Sequence, residues 1–226
     1  MKGELGMPSN QTDTIAAIAT PPGVGGIGVI RVSGPHALAL ADKVFRTPSG
    51  KRLYDAPSHT VHYGHIVEQT GNVVDEAMAA VMRAPRTFTA EDVVELSTHG
   101  SPAILQKTLS LLLQAGARMA QAGEFTKRAF LNGRVDLARA EAVLDVIHAD
   151  SDASIKNAVS QLEGGLSRQI EQIRAPLLYT AAQFAAAVDY PDDEIADLSE
   201  EGLRDTLTVA VSACNTLLAG ADSGRI

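Results

Sequence analysis

Glu95 stands between Val94 and Leu96 in the run EDVVELSTHG. On a strand its carboxylate points away from both aliphatic neighbours. A carboxylate late in a strand, ahead of a Ser-Thr-His-Gly loop, sits where open α/β sheets bind ligands. The same position also suits a solvent-facing edge residue. Arg31 lies between Ile30 and Val32 and has the matching placement on another β-branched run, so its charge is either solvated or turned to a ligand. Arg134 follows Gly133 directly in FLNGRVD, where a cation at a helix end also satisfies the helix dipole.

A different chemistry is spelled by Gly23-Val24-Gly25-Gly26-Ile27-Gly28, which matches G-x-G-x-x-G. A pyrophosphate cradle needs a helix to open after the last glycine. The next residues are VIRVSG, short and β-branched, so the glycines read as a turn between two strands. His59, His62 and His65 resemble a metal trio, but strand alternation puts His62 on the face opposite the other two. The acidic run around Asp189, Asp192, Asp193, Glu194 and Asp197 reads as a solvated helix–helix loop, because its spacing imitates no cation loop. Cys214 falls in an apolar helical stripe and reads as a small core residue. No G-x-x-x-x-G-K-[ST] string is present.

The elements that must position these residues divide the chain. Strands are expected over residues 14–20, 27–33, 59–69, 73–84 and 91–100, with a hairpin turn at Thr70-Gly71-Asn72. Helices are expected over 35–45 and 101–117, the second with Ser101 as N-cap and Pro102 at its first position. From Phe125 onward the pattern is helical. A short helix ends at Gly133, and another covers 136–150. Ile155, Val159, Leu162, Leu166, Ile170, Ile173 and Leu177 keep one face of a single long helix, which Pro176 should kink or interrupt near Gln172. A final amphipathic helix turns Leu203, Leu207, Cys214 and Leu217 inward.

Composition bounds what this chain can be. It has 226 residues, 45% of them hydrophobic and 20% charged, which is the balance of a globular protein of one or two domains. Trp is absent and aromatics are 4%, so the core must be aliphatic. One cysteine excludes a disulfide framework and fits a reducing cytoplasm. No apolar run is long enough to span a membrane. The net charge of −8 makes the chain as a whole a poor match for a nucleic-acid backbone, although a local basic patch is still allowed.

Four blocks in order carry a resemblance: DTIAAIATPPGVGGIGVIRVSG, FTAEDVVELSTHG, GEFTKRAFLNGRVDLARAEAVLDVI and YPDDEI. Together they resemble the MnmE (TrmE) family of bacterial tRNA-modification GTPases, in register from about Asp13 onward. The resemblance implies an α+β architecture: a tail over 1–12, a mixed α/β domain over 13–132 and the first part of an all-α helical domain over 133–226. The α/β domain is implied to bind 5-formyl-tetrahydrofolate or a related folate, to be similar to folate-dependent aminomethyltransferase domains and to form a homodimer. The family's folate site falls on Arg31, Glu95 and Arg134 of this chain, with Arg134 at a position that is often Lys.

The family acts with the flavoprotein MnmG on C5 of the wobble uridine of certain tRNAs, in the cytoplasm. Its potassium- and magnesium-dependent GTP site is expected beyond Ile226, so the chain is expected to stop before the GTPase domain. Two rivals stand beside this reading. One is a folate-dependent aminomethyl or formyl transferase, which would lack the helical tail. The other is a dimerisation and docking module without a working folate site.

Overall fold

The computed structural model describes residues 13–189 and 199–223. The chain forms two compact units, Met1–Asp136 and Leu137–Ile226. The first is α/β and the second is all helical, as the α+β reading requires.

Seven strands build one sheet in the first unit: β1 (Ile15–Ile18), β2 (Gly25–Ser33), β3 (Phe45–Arg46), β4 (Thr60–Val67), β5 (Val73–Met82), β6 (Val93–Gly100) and β7 (Arg118–Met119). Their order is β3-β4-β5-β6-β2-β1-β7. Every pair is antiparallel except β1 with β7. The two-residue strands β3 and β7 carry no sequence signal of their own, because they are too short to show alternation. Helix α1 (Ala37–Val44) and helix α2 (Pro102–Ala115) cover one face. The core there is Ile30, Val32, Ala79, Val81, Val94 and Leu96 from the sheet, against Leu38, Ala41, Leu109 and Leu112 from the helices. Each large aliphatic side chain among them contributes about 1.5–3 kcal/mol on burial. Ser101 occupies the N-cap of α2, but its side chain makes no capping bond.

The glycine string is not the turn its sequence suggests: residues 25–28 lie within β2 and pair with β6, and the turn from β1 precedes them. Gly25 and Gly100 are partners across β2 and β6, beside an irregularity between Gly25 and Ile27. A Cβ on Gly100 would stand 2.5 Å from the Gly25 carbonyl oxygen, and one on Gly28 would stand 2.7 Å from Leu105 of α2. Glycine at Gly100 therefore allows close approach of strand to strand, and at Gly28 it lets Leu105 of α2 pack against the sheet without displacement.

Helix α3 (Glu124–Leu131) closes the first unit. The second unit contains α4 (Leu137–His148), α5 (Asp152–Leu162), α6 (Gly165–Asp189) and α7 (Glu200–Ser223). Ser151 and Ser154 form a reciprocal capping box at the start of α5. Three expectations need correction. The single long helix is two, because the chain breaks at Gly164, whose φ of 82° is left-handed and ends α5. Pro176 does not interrupt α6, which continues for several turns on both sides of it; the proline removes one donor while the remaining ladder persists. Cys214 is exposed, and so is Leu207. The half-buried line on α7 runs through Leu203, Thr206, Ala210, Ala213 and Leu217, one position off Cys214. The acidic run lies outside the described residues except for Asp189.

Candidate functional site

The sheet face not covered by α1 and α2 carries Arg31 and Glu95. Strand alternation places both there, since their neighbours Ile30, Val32, Val94 and Leu96 are fully buried on the opposite face. Arg31 of β2 and Glu95 of β6 are register partners across the strands. The Arg31 guanidinium holds Glu95 Oε1 through Nε at 2.7 Å and a terminal nitrogen at 2.6 Å. Both side chains are a little over one quarter exposed.

Two aromatic rings flank the guanidinium. Its Cζ lies 5.4 Å from the centroid of the Phe88 ring and 5.5 Å from that of Phe125. These distances are within cation–π range. Phe88 comes from the segment between β5 and β6, and Phe125 from the first turn of α3. Arg134 reaches the same segment from beyond α3, where its Nε donates to the Thr87 carbonyl at 3.3 Å. Asn132 donates to the Thr89 carbonyl at 2.7 Å. The structure thus brings Arg31 and Glu95 into direct contact, while Arg134 is tied to them through the segment that carries Phe88.

A buried charge network locks that segment and α3 to the sheet. Arg128 of α3, 5% exposed at its side chain, donates to Glu91 at 3.1 Å, to Asp13 at 2.5 Å and to Glu124 at 3.2 Å. Arg118 of β7 holds Asp13 at 2.6 Å and Glu124 at 2.5 Å. Ser33 of β2 donates to Glu91 at 2.7 Å. Hydrogen bonding from Arg118 is the main cause that brings the Glu124 carboxyl down to about 2, assisted by the Gln121 N–H and Arg128. For Asp13 burial works the other way, yet bonds from Arg118 and Arg128 leave its carboxyl below the usual range. Burial likewise disfavours the Arg128 charge, but Asp13, Glu91 and Glu124 raise its pKa overall.

Residue types and spacing alone do not single out this network or the two rings. The signal available for the rings is aromatic scarcity: Phe88 and Phe125 are two of only five Phe, and each sits beside a candidate motif. The histidines do not converge. His59 bonds Ser58, His62 bonds Thr60, and His65 meets the Tyr63 ring edge-on. In the second unit a cavity of about 670 Å³ lies between α6 and α7, lined mainly by apolar groups such as Ile173, Pro176, Val209 and Leu217. It brings together no set of polar groups comparable to the Arg31–Glu95 pair. No helix among the described residues is long and apolar enough to cross a membrane.

The pairing of a carboxylate, a guanidinium and two aromatic rings can grip a flat ligand that presents adjacent N–H donors and a negative charge. Comparison with known proteins gives this arrangement its context. The family model described as "GTP-binding protein TrmE N-terminus" matches residues 14–134, and that of the "MnmE helical domain" matches 137–226. The chain is 49% identical over 216 residues to the tRNA modification GTPase MnmE of Geobacillus kaustophilus, covering 95% of this chain and 47% of that protein. It is 50% identical over 221 residues to the tRNA modification GTPase MnmE of Streptococcus mutans, covering 97% and 48%. The Enterococcus faecalis protein of the same name is 49% identical over 216 residues, covering 95% and 46%. The chain spans about half the length of the curated relatives it matches. With consecutive family models matching both of its units, the chain belongs to the MnmE family of tRNA modification GTPases.

Proposed function

We propose that this chain supplies the folate-binding, dimer-forming portion of a tRNA modification GTPase. The observation that carries the reading is the Arg31–Glu95 pair held between Phe88 and Phe125. The donor set fits a reduced folate. A pterin offers adjacent ring N–H and amino donors, which one carboxylate accepts side by side, and Glu95 is assigned to them. The glutamate tail of a folate carries carboxylates, which suit Arg31 or Arg134. Phe88 and Phe125 provide apolar walls for the ring system.

On this reading Glu95 has two partners to choose between. In the free chain its Oε1 is taken by Arg31. Binding the pterin edge exchanges that bond for the ligand's donors and releases the guanidinium toward a negative group. The bound 5-formyl-tetrahydrofolate supplies a one-carbon unit. The residues of this chain bind and orient it.

The whole protein is proposed to act with the flavoprotein MnmG on the wobble uridine of certain tRNAs, in the cytoplasm, with GTP, potassium and magnesium used at a site outside these 226 residues. Calorimetric titration of 5-formyl-tetrahydrofolate into the chain tests the reading. Saturable heat with one site per chain supports it. Absence of heat supports a docking module instead. The chain should not hydrolyse GTP, and robust turnover by these 226 residues would overturn that part of the proposal.

A further inference from the structure

A net charge of −8 argues against nucleic-acid binding by the chain as a whole, yet its cations are not evenly neutralised. In the first unit, Arg31, Lys107, Arg118 and Arg128 each face a carboxylate. In a second group, around the end of α1, β3 and the 3-10 turn Leu53–Asp55, main-chain carbonyls hold most of the cations and only Arg52 reaches a carboxylate. Lys43 donates to the Ala115 carbonyl at 2.9 Å. Arg46 donates to the carbonyls of Asp42 and Phe45. Arg83 donates to the carbonyls of Ala56 and Tyr54. The Lys51 ammonium has no partner among the described residues, and it is exposed.

Main-chain carbonyls fix where these cations stand without cancelling their charge. Two carboxylates stand in this region, Asp42 and Asp55, against five cations; the Asp42 oxygens accept from the N–H groups of Leu53 at 2.6 Å and Tyr54 at 3.0 Å. Arg52 reaches Asp42 only at 3.4 Å and keeps 63% of its side chain in solvent. The Arg52 guanidinium lies 5.4 Å from the centroid of the half-exposed Tyr54 ring. Arg46, Lys51 and Arg52 line one hollow of about 280 Å³, and Arg46 with Lys43 lines the next, of about 260 Å³. Arg46 lines both hollows, so Lys43, Arg46, Lys51 and Arg52 follow one another along the surface, with Asp42 between them and the Tyr54 ring against Arg52.

We infer that this surface binds the phosphate backbone of an RNA, with Tyr54 available to stack on an unpaired base. The chemistry favours RNA over an acidic protein. Fixed guanidinium forks suit phosphate oxygens, and an exposed tyrosine beside them is the usual platform for a splayed base. The acidic remainder of the chain does not prevent it, because charges farther than about 8 Å are largely screened at physiological salt. From Arg83 the chain leads through Arg86 to Phe88, so the basic surface continues in sequence into the segment that flanks the Arg31–Glu95 pair. This inference concerns different residues from the folate reading, and its choice of RNA rests on the proposed tRNA-modification function.

Fluorescence anisotropy of a labelled tRNA anticodon stem-loop, titrated with the full chain across a range of salt, tests the inference. Lys51→Gln with Arg52→Gln should weaken binding about tenfold and make the salt dependence shallower by about one to two counterions. A control with the same charge change elsewhere, Lys156→Gln with Arg204→Gln, should leave both unchanged. Tyr54→Ala should weaken binding to the stem-loop while preserving the salt dependence. No binding by the unaltered chain, or equal weakening by the patch and the control variants, would overturn the inference. Unchanged RNA affinity in the patch variant, with lost binding to polyglutamate, would overturn it in favour of an acidic protein partner. Circular dichroism of each variant separates loss of binding from loss of fold.

Discussion

Arg31 and Glu95 are 64 residues apart in the chain and directly opposite one another in the sheet. The guanidinium meets one carboxylate oxygen through two nitrogens, and both side chains stay partly open to solvent. A pair in that position is worth little as a surface salt bridge, of the order of 0–1 kcal/mol. It orients the Glu95 carboxylate beside a guanidinium that two aromatic rings flank. The two groups therefore differ in what they can do: the open pair can exchange partners with a ligand, as the folate proposal requires, while the network around the buried Arg128 ties distant parts of the fold together.

That difference gives the first prediction. Arg128→Met removes a buried guanidinium from among Glu91, Glu124 and the partly exposed Asp13. Breaking a buried pair by removing one partner typically costs about 3–5 kcal/mol. Urea unfolding followed by a probe in the first unit should show a loss of that size, against less than about 1 kcal/mol for Arg31→Met. Equal losses would remove the distinction between the two groups.

The network also sets an acid limit. The folded Glu124 pKa is about 2, against an ordinary value of 4.5. A carboxyl depressed on folding contributes stability that is fully present above its unfolded pKa and is lost as pH falls through the folded one. The contribution should therefore be intact above pH 4.5 and decline between about 4.5 and 2. Glu124→Gln should flatten that part of the stability–pH curve for the first unit. An unaltered acid limb in the variant would contradict the assignment.

The glycines of GVGGIG make a packing prediction where a phosphate cradle would make a binding one. A Cβ on Gly28 meets Leu105 at 2.7 Å, whereas one on Gly26 meets nothing within 4 Å. Gly28→Ala should lower stability by about 1–3 kcal/mol, the usual cost of overpacking. Gly26→Ala should be close to neutral. Thermal unfolding distinguishes them, and equal tolerance at both positions would reject the packing account.

Much of this is legible in the sequence, for identifiable reasons. Alternation within VIRVS and VVELS is enough to turn Arg31 and Glu95 away from the core, because that rule is local. Their contact is not legible, because β2 pairs with β6 across a connection that periodicity cannot see. The apolar spacing from Ile155 to Leu177 runs through Gly164 without a fault, so the pattern hides the break that the Glu-Gly-Gly step makes. Cys214 departs from its expected place by one helical position, a shift of about 100° that carries a side chain from the half-buried line to solvent. Arg128 lies concealed in EFTKRAFL, where a cation among polar residues reads as surface until the three carboxylates that surround it are brought together from distant parts of the chain.

Glu95 is proposed to receive the donor edge of a folate. Calorimetric titration of 5-formyl-tetrahydrofolate into the unaltered chain and into Glu95→Ala tests it most directly. Loss of charge-assisted hydrogen bonds of about 1.5–3 kcal/mol predicts an affinity reduced roughly ten- to a hundredfold in a variant that remains folded. Unchanged affinity in Glu95→Ala would contradict the account.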